Sequence, residues 1–131
     1  HFTSIHSVHS YDLAKLISDK AISIKHVQKV FLQINLSQEK TKSGFSTEEL
    51  KFFWPQLIKL EGLDIVGLMT MPPLQNSAEE NRPYFKQLKK IAEHFQLKEL
   101  SMGTSHDYAV ALEEGSTWIR LGTILFGDRL K

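Results

Sequence analysis

The sequence contains no cysteine among its 131 residues. That absence excludes disulfide bonds, cysteine zinc sites and a thiol nucleophile. An excess of either charge is also missing, because sixteen Lys and Arg stand against fifteen Asp and Glu, and this balance gives no support to nucleic-acid binding. No apolar run reaches the roughly 20 residues that span a bilayer. With 41% hydrophobic and 24% charged residues, the composition indicates one globular domain over residues 1–131.

Strand-like and helix-like segments alternate along the chain. The predicted strands cover residues 4–8, 30–36, 65–71, 100–103 and 118–123. Helices are predicted to begin at Ser10, at the two capping boxes that start at Ser46 and Ser77, and at Ser105. In the first helix Leu13, Leu16 and Ile17 share one apolar face. This β-α order predicts an α/β fold with parallel strands and right-handed crossovers.

Two architectures fit this order, an open doubly wound sheet and a (β/α)₈ barrel, and the positions of the glycines distinguish them. A dinucleotide-binding open sheet carries Gly-x-Gly-x-x-Gly after its first strand, but residues 7–10 contain no glycine. Gly103 and Gly122 instead lie at the ends of the last two strands, where (β/α)₈ barrels often build a phosphate site. We therefore expect a barrel, with Gly103 allowing the backbone to approach a ligand closely.

A candidate phosphate site follows from the same two strand ends. Ser105 stands at a predicted helix start, where free N–H groups and a partial positive charge favour an anion. Gly122 and Thr123 can add a backbone N–H and a hydroxyl. Arg120 points the same way along its strand as Gly122, so it would lie one step deeper in the barrel. Inside a barrel, its guanidinium needs an acceptor.

A purely structural interpretation of the same residues stays open. It has a strand-end serine, a glycine turn, and Arg120 paired with a carboxylate such as Asp107 or Glu113. Gln33 and Asn35 are polar residues on an otherwise apolar strand, and they either line the pocket or pair with Arg120. We favour the lining role for both. His6 and His9 would face opposite sides of a strand, so we expect no metal site.

Five segments resemble, in order, the pyridoxal phosphate homeostasis protein family. They are IHSVHS at residues 5–10, QINLS at 33–37 with KSGF at 42–45, GLMTMP at 67–72, LSMGTSHD at 100–107, and EEGST at 113–117 continuing into IRLGT at 119–123 and FG at 126–127. Together they are specific and cover nearly the whole chain. The resemblance implies a partial (β/α)₈ TIM barrel of the alanine racemase N-terminal-domain type, with strands four to eight present.

The resemblance also implies the cofactor, pyridoxal 5′-phosphate (PLP), and the residues that bind it. These are Ser101, Met102, Ser105, Arg120, Gly122 and Thr123. Ser105, Gly122 and Thr123 would hold the phosphate, and Arg120 would face the pyridine nitrogen. Arginine does not give up a proton to that nitrogen, so the ring would stay a poor electron sink. The resemblance thus implies a cytoplasmic PLP carrier in PLP homeostasis, with no catalytic residue, no nucleic acid and no membrane as partner.

The PLP-bonding lysine of the family lies at the end of strand one, and no lysine here matches that position. Lys40 and Lys42 follow the second predicted strand and read as surface charges. We therefore expect strands one to three, with that lysine, to lie upstream of His1. A complete barrel needs about 250 residues, so the bare chain would leave open edges through which copies could pair.

Two other functions fit the sequence less well. One is a PLP-dependent amino-acid racemase-like enzyme, which would need a second domain and a catalytic tyrosine from a partner. The other is a barrel domain that binds an unrelated sugar phosphate through the same strand ends. Visible absorbance on adding PLP separates the PLP-binding functions from the sugar-phosphate one.

Overall fold

The computed structural model describes residues 4–37, 43–73, 75–122 and 124–126. Within them six strands form one sheet whose spatial order equals their order in the chain. The strands are β1 (Ile5–Val8), β2 (Gln28–Gln33), β3 (Leu63–Met69), β4 (Glu99–Thr104), β5 (Trp118–Leu121) and β6 (Ile124–Phe126). The helices are α1 (Tyr11–Ser23), α2 (Thr47–Leu57), α3 (Ala78–His94) and α4 (Tyr108–Glu113). The predicted β-α alternation is confirmed.

The starts of the first three helices follow directly from local hydrogen bonds. Ser10 Oγ accepts from the Leu13 N–H at 3.2 Å, as an N-cap serine does. Before α2, Ser46 Oγ accepts from the Glu49 N–H at 3.0 Å, and Glu49 Oε1 accepts from the Ser46 N–H at 2.9 Å. Ser77 forms the same reciprocal pair before α3. Both predicted capping boxes are therefore confirmed.

One face of the sheet packs against all four helices. Its apolar strand residues are Val8, Val30, Leu32, Ile34, Leu68, Leu100 and Met102. The helices contribute fully buried side chains such as Leu50 and Phe85. The predicted place of Leu16 on the apolar face of α1 is wrong, since this side chain is 67% exposed. The small residues Ala14, Ser18 and Ala21 form the buried stripe instead, at the spacing of one helical face.

The opposite face of the sheet carries rings and polar groups. His6 stacks on Phe31 with ring centroids 4.1 Å apart, and the edge of Trp118 meets both rings. Gln33 lies on this face, because side chains alternate along β2. Its Nε2 donates to the Ser43 carbonyl at 3.1 Å. This amide group is therefore bonded to the backbone of the following loop and not to Arg120, the partner that one predicted alternative gave it.

The C-terminal part of the sheet departs from the prediction in two ways. Strand β6 runs antiparallel to β5, pairing Arg120 with Leu125, and it is not among the five strands that the sequence predicted. The last helix was predicted to begin at Ser105, but residues 105–107 form a turn and α4 starts at Tyr108. The reason is Asp107, whose Oδ1 accepts from the Thr104 N–H at 2.8 Å and closes the turn before the helix begins.

Candidate phosphate and ring-binding site

A cavity of about 130 Å³ opens at the carboxyl ends of β3, β4 and β5. Its lining comes from residues 69–73, residues 101–104, Asn81, His106, Asp107 and Arg120. Parallel strands bring their carboxyl ends to one edge of the sheet, and this edge is where barrels and open α/β sheets bind ligands. The position agrees with the strand ends that the sequence singled out.

The structure brings three of the predicted binding residues into this cavity. Ser101, Met102 and Arg120 all line it. Ser101 is buried on the ring-bearing face of the sheet. Met102 is also buried, and its side chain belongs to the core beneath the helices. It therefore serves the packing of the sheet as well as the cavity wall.

Two further predicted residues meet each other at the margin of the cavity. Ser105 lies in the turn between Thr104 and His106, which both line the cavity, and its Oγ accepts from the Gly122 N–H at 3.2 Å. Because Ser105 Oγ is the acceptor in this bond, the hydroxyl keeps its own hydrogen to donate elsewhere. The sixth predicted residue, Thr123, lies outside the described residues, as do Lys40 and Lys42.

The two glycines of the predicted site have different reasons to be glycine. At Gly122, φ is +61° and a Cβ would find nothing within 4 Å, so the space in front of its backbone is open. At Gly103, a Cβ would lie 2.7 Å from Ala111 Cβ of α4, and φ is +105°. Close packing of α4 on β4 therefore also requires a glycine at this position, while the residue still lines the cavity, so its role in ligand approach stays a prediction.

Arg120 presents its guanidinium to the cavity. Its Nη1 lies 3.8 Å from Met71 Sδ, and a thioether is a weak acceptor. The carboxylates that the structural interpretation offered as its partners are engaged elsewhere. Glu113 bonds to Arg82, and Asp107 accepts from Asn81 and from the Thr104 N–H.

His6 is a buried residue of this region that the sequence did not single out as functional. A 2.7 Å hydrogen bond joins His6 Nδ1 to Ser101 Oγ, while Nε2 is buried and has no partner among the described residues. Burial, followed by the positive charge of Arg120, lowers the pKa of His6 to about 4. The imidazole is therefore neutral at pH 7 and holds the Ser101 hydroxyl at the cavity wall.

A second buried polar pair also escaped the sequence. Asn81 of α3 donates from Nδ2 to Asp107 Oδ2 at 2.6 Å, and both side chains are nearly inaccessible. The signal that could have found it is the buried stripe of α3. Asn81 occupies the first position of a stripe that continues with Phe85, Leu88 and Ala92, and a polar residue there requires a buried partner.

These groups fit a ligand that carries an anion beside an aromatic ring. The Ser105 hydroxyl and the open space at Gly122 suit phosphate oxygens, and Arg120 adds positive charge and planar donors. Among the described residues, no group of three or more His, Asp or Glu is arranged to hold a metal ion. No helix in that part of the chain is long and apolar enough to cross a membrane.

Comparison with known proteins gives matches over nearly the whole chain. The sequence model of the family described as "Alanine racemase, N-terminal domain" matches residues 3–130. The pyridoxal phosphate homeostasis protein of Aquifex aeolicus is 40% identical over 131 residues, which cover 95% of this chain and 58% of that protein. The protein of the same name from Synechocystis is 44% identical over 135 residues, covering 98% of this chain and 62% of that protein.

Solved structures give the same result for the fold. PipY of Synechococcus elongatus superposes with a TM-score of 0.87 without PLP and 0.85 with PLP bound, at 38% identity. Each superposition covers 94% of this chain and 60% of that one. The predicted fold class, a partial barrel with five parallel strands, is confirmed. The chain spans about 60% of the length of the relatives it matches.

Proposed function

The chain belongs to the alanine racemase N-terminal domain family, and from this we propose that it forms the phosphate- and ring-binding part of a protein that binds PLP in PLP homeostasis. The observation that carries the proposal is the Ser105 hydroxyl, bonded to the Gly122 N–H at the margin of a cavity into which Arg120 extends. The names of the Aquifex and Synechocystis relatives and the PLP-bound PipY structure support the choice of ligand.

Each predicted residue has a part in this proposal. Ser105 donates its free hydroxyl hydrogen to the phosphate, and Gly122 and Thr123 border the same group. Ser101, with its hydroxyl held by His6, and Met102 form the wall beside the ring. Arg120 provides the positive charge that faces the pyridine nitrogen.

We propose binding without turnover because of Arg120. When bound, PLP supplies an aldehyde and a pyridine ring that can accept electrons, and this second property depends on a protonated ring nitrogen. A guanidinium keeps its protons near neutral pH, so Arg120 would leave the ring nitrogen unprotonated. This arrangement suits a protein that holds PLP and supplies it in the cytoplasm.

The lysine that would bond PLP covalently is proposed to lie outside this chain. The five parallel strands correspond in this view to strands four to eight of the barrel. The chain covers about 60% of its relatives, which leaves room for three more strands in a protein of their length. Within the described part of the chain, strand β1 has one neighbour in the sheet, β2, so its other edge can pair with a further strand or with a second copy of the chain.

Substitution of Ser105 by Ala in the full-length protein tests the phosphate contact. The change removes a donor to a charged group, which contributes roughly 1.5 to 3 kcal/mol, so the dissociation constant for PLP should rise about 10- to 150-fold. Titration of PLP followed by its visible absorbance measures this. Thr123→Ala should act in the same direction.

Ser46→Ala is the matched control, because it removes a helix-capping hydroxyl on α2 and should cost about 1 kcal/mol of stability while PLP affinity stays unchanged. Unchanged PLP affinity in both Ser105→Ala and Thr123→Ala would contradict the proposed site. The absence of any spectral change in the parent protein would favour the sugar-phosphate function. Amino-acid racemisation at enzymatic rates would favour the racemase-like one.

A further inference from the structure

We propose that Asn81 and Asp107 are a positioning pair, whose buried hydrogen bond fixes the phosphate-binding turn that carries Ser105. This inference rests on the proposed function and extends it, because both side chains line the cavity but neither is among the residues proposed to contact PLP. The pair joins the first turn of α3 to the turn between β4 and α4. It thereby makes phosphate binding depend on a residue of a neighbouring β-α unit.

The hydrogen bonds form a continuous path from the β3–α3 connection to the turn. Asn76 Nδ2 donates to Asn81 Oδ1 at 3.0 Å, and Asn81 Nδ2 donates to Asp107 Oδ2 at 2.6 Å. Asp107 Oδ1 then accepts from the Thr104 N–H at 2.8 Å. A second link between the same two connections joins His106 Nε2 to the Asn76 carbonyl at 2.8 Å. Ser105 lies between the residues that these bonds hold.

Burial makes the central bond hard to replace. Asn81 is 2% exposed and Asp107 is 4% exposed, so water has little access to either group. The carboxylate of Asp107 uses its two oxygens for the turn and for α3, respectively. A buried carboxylate that loses one of these donors must find another, and the turn must move for it to do so.

An ordinary role in docking α4 against α3 is the competing explanation. That role already has its own residue, because Arg82, the neighbour of Asn81 on α3, bonds to Glu113 and Glu114 at the end of α4. Hydrogen bonds to Glu79 and then to these two carboxylates raise the pKa of Arg82. Substitution of Arg82 therefore tests the docking of α4 against α3, and substitution of Asn81 tests the position of the turn.

The test compares ligands with and without a phosphate in the full-length protein. Asn81→Asp places a second carboxylate against Asp107, and the repulsion should displace the turn. We expect affinity for PLP and for inorganic phosphate to fall at least about tenfold, the loss expected for a charged hydrogen bond, while affinity for pyridoxal stays within about twofold. Asn81→Ala removes the same bond without adding charge and should lower the ratio of PLP to pyridoxal affinity in the same direction.

The double variant Asn81→Asp with Asp107→Asn exchanges the two side chains and keeps the net charge of the parent. The new carboxylate at position 81 can accept from Asn76 and from the new amide at position 107. The oxygen of that amide can still accept from the Thr104 N–H. We expect this variant to restore the PLP-to-pyridoxal ratio to within about threefold of the parent, since every bond of the path is kept.

Arg82→Met is the matched control, because it removes the ion pairs of Arg82 with Glu113 and Glu114, keeps the longer pair of Lys86 with Glu114, and leaves the turn bonds in place. A ratio that is unchanged in folded Asn81→Asp, that falls equally in Arg82→Met, or that the double variant fails to restore would overturn the inference. Thermal unfolding of each variant confirms folding. If the parent binds neither PLP nor inorganic phosphate, the proposed function itself fails; if it binds them and only the ratio test fails, the positioning role alone is lost.

Discussion

The two faces of the sheet differ in chemistry. The face beneath the helices is aliphatic and aromatic, with Leu32, Leu68 and Phe85 fully buried. The opposite face buries His6 and Ser101 as a hydrogen-bonded pair beside Phe31 and Trp118. The second face therefore contains a buried titratable side chain, His6, close to the cavity wall. The face beneath the helices stabilises the fold, and His6 on the opposite face makes that stability depend on pH.

The largest expected effect lies on the helix face. Phe85→Ala removes a fully buried ring from the core and should lower the free energy of unfolding by about 3–5 kcal/mol. Denaturant titration measures it. Phe52→Ala is the control, because that ring is 70% exposed and its loss should change the free energy by less than about 0.5 kcal/mol. Equal effects of the two changes would show that the helix face does not dominate stability.

The second effect belongs to the ring face and depends on pH. The pKa of His6 is lowered from 6.5 to about 4 in the folded chain, so between these values the unfolded chain binds more protons than the folded one. The free energy of unfolding should be unaffected by this group above pH 6.5. It should fall as the pH drops towards 4, by on the order of 1 to 2 kcal/mol after solvent screening.

His6→Asn isolates that effect, since an asparagine keeps a hydrogen-bonding atom near the Nδ1 position but does not titrate. The unfolding free energy of the parent minus that of the variant should be lower at pH 4.5 than at pH 7, because only the parent loses stability through position 6 as the pH falls. The difference between the two proteins removes the contribution of the other histidines. A parent-to-variant difference that is constant over this range would show that His6 is charged or solvated in the folded state.

The smallest effect concerns a polar group on the same face. Gln33→Leu removes the hydrogen bond to the Ser43 carbonyl and should lower the free energy of unfolding by about 1 kcal/mol. Denaturant titration at pH 7 is the measurement, and the curve should shift equally at pH 4.5. A loss as large as that of Phe85→Ala would place the main stabilising contacts of the chain on the ring face instead.

Local patterns predicted the fold well because each acts over a few residues. The capping boxes at Ser46 and Ser77 involve groups three residues apart, and both form as predicted. The β-α order likewise follows from short apolar segments. The antiparallel β6 was missed because nothing in its three residues specifies the direction of the chain. The position of Leu16 was wrong because the sequence pattern assigned the large hydrophobic side chains of α1 to the buried face. The structure buries Ala14 and Ser18 instead, since small side chains let α1 pack closer to its neighbours.

The site was only partly predictable because its decisive contacts join distant residues. Ser105, Arg120 and Gly122 were predicted from the strand ends at which they lie, and Ser101 was predicted from the family resemblance. The partner of Asp107 is 26 residues away and that of Ser101 is 95 residues away, so spacing alone could not reveal either. The contact between Ser105 and Gly122 spans 17 residues, yet it was accessible because both flank neighbouring strands.

The bond between His6 and Ser101 also measures the curvature of the sheet. β1 and β4 are separated by three strand spacings, which would be about 14 Å in a flat sheet. The two side chains nevertheless approach to 2.7 Å. The sheet is therefore curved, and the face that carries His6, Phe31 and Trp118 is its concave side, on which side chains converge. Side chains have less room on the concave side of a curved sheet than on its convex side. A short side chain at position 101 therefore suits the limited space on the concave side as well as the hydrogen bond to His6. We expect a larger side chain there to reduce the curvature of the sheet.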